Sequence, residues 1–235
     1  MSEHAEGPLV IRSFPMPRSL GPKAQAWLDG SAPEAVPARP AATVLLVRES
    51  SSGGVDLFLL LRQATMAFAG GMYVFPGGGV DPRDADDVPW AGPSAQEWGS
   101  WLGCASAVAR ELVCAAVRET FEECGVLLAG PDANAVVDDV TGDDWEADRQ
   151  ALLSRDVALS ELLTRRGLVL RADLLRPWAH WVTPEFESCR YDTRFFLAAL
   201  PRGQKARHVE GGEASESGWW LRPSSLRERS RVGSG

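Results

Sequence analysis

Arg118-Glu119-Thr120-Phe121-Glu122-Glu123-Cys124-Gly125-Val126 is the stretch on which the reading of this 235-residue chain turns. Helical residues advance by about 100° each, so positions i, i+3 and i+4 share a face. Glu119, Glu122 and Glu123 therefore project together, while Val113, Val117, Thr120, Phe121 and Cys124 form a second stripe suited to packing on a sheet. The pattern predicts a helix over Ala105–Cys124 that stops at Gly125, as a C-terminal glycine should. Three clustered carboxylates repel one another and oppose the macrodipole at a helix C-terminus, so they are poor choices for stability. Arg118, one turn before Glu122, offsets part of that charge, and a divalent cation would offset more. Spacing alone leaves two readings level, a solvated acidic face and a metal site.

Upstream, Met72–Phe75 reads as a short strand running into Pro76-Gly77-Gly78-Gly79. Such glycines are either a flexible turn or a place where backbone N–H and C=O groups closely approach a ligand or metal. Ala42–Arg48 and Val55–Arg62, separated by residues 49–54, read as a hairpin. Val80–Gly103, rich in Asp, Pro, Gly and Trp, reads as an insertion (about 81–104) with a helix near Ser94–Trp101. Asp143–Leu153 and Ala158–Arg166 read as helices of a second insertion, about 141–170. Strands resume at Ala179–Val182, Asp192–Ala199 and Ser217–Leu221, and Pro223–Glu228 opens a last helix. Residues 1–40 form a proline-rich, partly extended leader with one short helix, Pro22–Leu28. The main domain covers 41–228, and 229–235 is a tail. Strands and helices mix without strict alternation, so the class is α/β (α+β), one mixed sheet system covered by helices.

Composition narrows the function. No apolar run reaches membrane-spanning length, and no basic segment followed by an apolar stretch opens the chain. The four cysteines form no CxxC pair, and two lie in the predicted helix, which favours reduced core thiols over disulfides or metal ligands. Together these features point to the cytoplasm. A formal charge of −8 argues against a broad nucleic-acid surface, while leaving an anionic small molecule open to local cations.

Taken together, the glycines and the acidic helix resemble the Nudix hydrolase family, whose signature is Gx5Ex7REUxEExGU with U aliphatic. Its second half matches at Arg118, Glu119, Glu122, Glu123, Gly125 and Val126, with Thr120 in place of an aliphatic residue. Counting back from Arg118 puts the motif's earlier glutamate on Arg110, beside Glu111, and the gap from Gly78 is too long. An insertion therefore splits the box. Upstream, Leu59-Leu60-Leu61-Arg62 and Gly71-Met72-Tyr73-Val74-Phe75-Pro76-Gly77-Gly78 resemble the coenzyme A diphosphatase pattern LLxxRSxxxRxxxGxxxFPGG, with Gln63 for its serine and Ala67 for its second arginine. Split-box relatives that hydrolyse coenzyme A and acyl-coenzyme A are similar over Val74–Asp81, Arg118–Leu128, Trp181–Glu185 and Arg190–Phe196, and usually continue past Pro223.

The resemblance implies a mixed sheet sandwiched between helices, and a small-molecule nucleotide substrate cleaved at a diphosphate. It implies Mg2+ (or Mn2+) held by Glu119, Glu122 and Glu123, with Arg118 completing the catalytic set by positioning them. Arg62, Gly77 and Gly78 become candidate substrate-binding residues, Arg62 as a phosphate contact or a strand-edge cap. Glu119, Glu210 and Glu213 are the candidates for general base, although the last two also read as solvent-exposed loop acids. Arg190 and Arg194 read as structural, and Trp219 and Trp220 either stack on a base or pack in the core, the core reading being preferred for at least one of them. No nucleic acid or membrane is expected, and family habit allows a homodimer. Two other functions compete: a Nudix enzyme acting on ADP-ribose, NADH or another nucleoside diphosphate derivative, and a non-catalytic nucleotide-binding module. A protein-interaction scaffold, supported only by the insertions, is the third rival.

Overall fold

A computed structural model describes residues 20–64, 70–209 and 213–221. The predicted last helix Pro223–Glu228, the tail, residues 1–19 of the leader, Ala67 and Glu210 lie outside the described residues. Among the described residues two compact units are present, residues 20–37 with Thr183–Arg190, and Ala38–Val182 with residues 191–221. In the first, helix α1 (Gly21–Leu28) occupies the predicted position, and Lys23 pairs with Glu187 at 2.9 Å. Arg190 donates to the carbonyls of Thr183 and Val36, which makes it a structural residue.

The second unit is built on a mixed sheet. Its long central strand β1 (Arg39–Glu49) pairs in parallel with β9 (Tyr191–Ala199), which pairs antiparallel with β8 (Leu175–Val182). On its other side β1 is shared. Its C-terminal end forms the predicted hairpin with β2 (Val55–Arg62), and its N-terminal end pairs with β4 (Gly77–Gly79). β2 in turn carries β10 (Ala214–Leu221) and the short β3 (Tyr73–Val74). Alternation along β1 turns Ala42, Val44 and Leu46 into the core.

That buried face meets helix α3 (Ser106–Cys124), which ends at Gly125 in the left-handed conformation (φ +62°), as its glycine predicts. The predicted stripe Val113, Val117, Thr120, Phe121 and Cys124 is fully buried. Ahead of α3, helix α2 (Ala95–Leu102) starts at a Ser94/Glu97 capping box. It buries Trp98 against the Phe196 ring, at 5.7 Å between centroids. Strands β5 (Trp90–Ala91), β6 (Ala129–Gly130) and β7 (Val169–Arg171) form a second small sheet that the sequence did not announce. Helices α4 (Asp143–Leu153) and α5 (Leu159–Arg166) occupy the segment read from the sequence as a second insertion. The class is therefore α+β, a mixed sheet with helices. Among the described residues no single helix is long and apolar enough to cross a membrane.

The three glycines differ from the turn reading, because Gly77–Gly79 form a strand in register with Ala41–Thr43. Their missing side chains have a packing reason. A Cβ on Gly77 would lie 2.5 Å from the Ala42 carbonyl oxygen, and one on Gly78 2.4 Å from the Glu119 carboxylate. The close backbone approach foreseen for a ligand is, within this chain, an approach to a carboxylate.

Candidate active site

Arg118 organises the site. It is 9% exposed and commits all five guanidinium donors. Nε and Nη2 form a two-pronged bridge to Asp84 at 2.9 Å each, and Nη2 also reaches the Gly79 carbonyl at 2.9 Å. Nη1 reaches Glu119 at 2.9 Å and Glu122 at 3.2 Å. Burial pulls the guanidinium's pKa down, but Asp84, Glu119 and Glu122 outweigh it and the net shift is upward.

Asp84, 3% exposed, sits in the 3-10 turn Pro82–Ala85, whose N-cap Asp81 closes a capping box with it. Counting back from Arg118 misses this residue. Counting forward from Gly78 through five residues lands on Asp84, an acid where the signature places its first glutamate. Arg110 instead pairs with Asp87 at 2.6 Å.

Glu119, Glu122 and Glu123 come together at the end of α3. Glu123 accepts the Gly77 N–H at 2.7 Å, and Glu119 lies against Gly78. Burial raises the Glu119 carboxyl to about 7, with Arg118 opposing and Glu122 adding to the rise. Glu122 is raised by burial despite Arg118. Glu123 goes up to about 8 through burial and repulsion from Glu119, moderated by the Gly77 N–H. The strain foreseen for this triad is present, and three hard oxygen donors suit a magnesium-like cation in kind. In this conformation, however, Arg118 and Gly77 engage them. Among the described residues no three His, Cys, Asp or Glu side chains are disposed around one point to hold a metal.

Arg62 reaches the same neighbourhood. It pairs with Glu213 at 2.5 Å, and both line a small cavity of about 20 Å³ with Leu60, Val74, Gly77, Glu123 and Ala214. Such a space holds about one water molecule. Glu213 is exposed, as expected of a loop acid, yet it faces this cavity. Trp219 packs on Phe58 with Arg48 over its ring, and Trp220 packs on Tyr73. Arg194 is buried against Asp192 and the Leu102 carbonyl, a structural placement. A larger open groove, about 500 Å³, is lined by Pro93, Trp101, Asp173, Arg176 and Pro177. None of the candidate residues lines it, so chemistry rather than size locates the site.

The model of the NUDT19 Nudix domain matches residues 104–231, more than half of the chain. Acyl-coenzyme A diphosphatase NUDT19 of Xenopus laevis is 24% identical over 219 residues, covering 77% of this chain and 56% of that protein. This chain thus spans little more than half the length of that relative. The crystal structure of a NUDIX hydrolase from Alicyclobacillus acidocaldarius is similar with a TM-score of 0.60 and 28% identity, over 78% of this chain and 79% of the other.

Proposed function

Because the chain belongs to the Nudix hydrolase family, we propose that it hydrolyses a diphosphate linkage in a nucleotide derivative with the help of a divalent cation. The observation that carries this reading is the placement of Glu123 on the Gly77 N–H and of Glu119 against Gly78, with Glu119 and Glu122 both bonded to a fully committed Arg118. Glu119, Glu122 and Glu123 would hold Mg2+ or Mn2+. When bound, such an ion supplies neutralisation of the diphosphate charge and a more acidic attacking water. Arg118 orients the carboxylates without touching substrate, since its donors are all committed to the protein. Glu119 is the proton acceptor in this reading, its carboxylate lying against Gly78 within the same cluster. Backbone groups of Gly77 and Gly78 line the approach.

The substrate in this proposal is coenzyme A or an acyl-coenzyme A, cleaved to adenosine 3′,5′-bisphosphate and (acyl-)phosphopantetheine. Support comes from the Leu59–Arg62 and Gly71–Gly78 segments and from the name of the Xenopus relative. Arg62, at the cavity beside Glu123, is the candidate phosphate contact. The test sets coenzyme A beside ADP-ribose and NADH, each with magnesium and with EDTA. Magnesium-dependent release of adenosine 3′,5′-bisphosphate from coenzyme A is expected. Cleavage of ADP-ribose or NADH alone would keep the chemistry and discard the substrate. No turnover with nucleotide binding retained would leave a binding module.

A further inference from the structure

The second insertion supplies none of the three carboxylates, yet it grips their support from two sides. Arg149 of α4 is 1% exposed. Its Nε donates to the carbonyl of Glu122 at 2.8 Å and its Nη2 to the carbonyl of Arg207 at 3.0 Å, while Nη1 lies 3.5 Å from Glu146. The last carbonyls of a helix lack intrahelical partners. In α3 the chain meets part of that need itself, with Gly125 N–H on Phe121 and Arg207 N–H on Cys124. The Glu122 carbonyl goes to a buried guanidinium from another element. A cation there also complements the macrodipole that the three glutamates oppose.

Gly125 makes this approach practicable. It takes a φ of +62°, and a Cβ there would meet Arg207 Nη1 at 2.7 Å and Arg149 Nη1 at 3.2 Å. From the other side, the α4–α5 connection and the first turn of α5 hold the turn that carries Asp84. Arg83 Nη1 donates to the Arg155 carbonyl at 2.9 Å, and Ser160 Oγ donates to Asp86 at 2.8 Å. One insertion is thus tied both to the last turn of α3 and to the segment that clamps Arg118.

An arginine is an expensive way to fill space in a core, since burial disfavours its charge and its donors must all be met. A methionine would fill the volume without those demands. What only the guanidinium provides is a fixed bond to the main chain of Glu122. We propose that Arg149 is a positioning residue for the carboxylate triad, holding the Glu122–Cys124 turn in the register at which Glu119, Glu122 and Glu123 take up a divalent cation. This rests on the cation-binding reading given above.

The test uses the full chain with Arg149→Met and Arg149→Lys, and measures Mn2+ binding by calorimetry beside kcat and KM for whichever nucleotide the wild type cleaves. Groups that orient metal ligands typically matter by 10–100-fold in metal affinity or activity. Arg149→Met is expected to weaken Mn2+ binding about tenfold and lower kcat by a similar factor, with KM within about twofold. Arg149→Lys, which keeps the charge but cannot span both carbonyls, should fall between. A folded Arg149→Met protein with wild-type Mn2+ affinity and only a lower melting temperature would overturn the proposal. If that variant does not fold, the lysine variant decides, and unchanged Mn2+ affinity there would overturn it. A wild-type chain that binds no Mn2+ would instead remove the reading underneath.

Discussion

Gly77 and Gly78 are neighbours with different obligations. A Cβ on Gly77 would strike main chain, the Ala42 carbonyl and Thr43 Cα, whereas one on Gly78 would strike the end of the Glu119 side chain. Backbone yields less than a side chain, so Gly77→Ala should destabilise the fold by about 1–3 kcal/mol. Gly78→Ala should melt near the wild type but push the Glu119 carboxylate aside, lowering activity by about tenfold or more. Urea titration beside a turnover assay separates them, and equal effects on both readouts would contradict the assignment. Glu122→Gln asks a sharper question at the same scale. The substitution preserves shape but takes one counter-charge from Arg118, so the metal-free chain should stay folded, held by Asp84 and Glu119, at some cost in stability. Hydrolysis should drop by more than the roughly 10–100-fold expected for a mere supporting group. Full activity would end the metal assignment for this side chain.

Among the elements, the clasp between the Pro82–Ala85 turn and α3 depends on the Asp84–Arg118 bridge. Asp84→Asn leaves a buried guanidinium short of its partner. Losing one member of a buried pair costs about 3–5 kcal/mol. A chemical denaturation shift well below that range would place the clasp elsewhere, in Gly79 or the glutamates. Elements of this kind also mark how far the sequence could be read. Helix α4 falls on its predicted limits and α3 within one residue of them, because period and terminal glycine are local signals. β4 escaped because a run of glycines has no side-chain alternation, and β5, β6 and β7 because two or three residues cannot show a period. Asp84 escaped for a different reason. It stands 34 positions from Arg118, a distance that hides the pairing from a count back along the chain, although the five-residue count forward from Gly78 reaches it. Arg149, 27 positions from Glu122, was invisible for the same cause.

For the molecule as a whole, three carboxyls with raised pKa values make stability a function of pH and metal together. In the folded, metal-free chain Glu119 titrates at about 7 and Glu123 at about 8, with Glu122 also raised, against 4.5 for the unfolded chain. Between those values the folded state binds more protons, so stability must fall as pH rises. The contribution is intact below about pH 4.5 and lost as pH climbs through 7 and 8. Asp81, lowered to about 2 first of all by its hydrogen bond with Arg83, acts in the opposite sense but at far more acidic pH, outside this window. With EDTA present, urea titrations from pH 5 to 8 should therefore show a decline on the order of a few kcal/mol. Saturating Mg2+ binds the deprotonated carboxylates of the folded state alone, so it should flatten or reverse the slope, with a gain that grows with metal concentration. Glu123→Gln should remove the upper part of the metal-free decline, because no carboxyl then titrates near 8. A metal-free stability that is level or rises from pH 5 to 8 would mean that the enclosure of the triad does not set these protonation equilibria. The electrostatic conflict that motivates a cation at this site would then be absent.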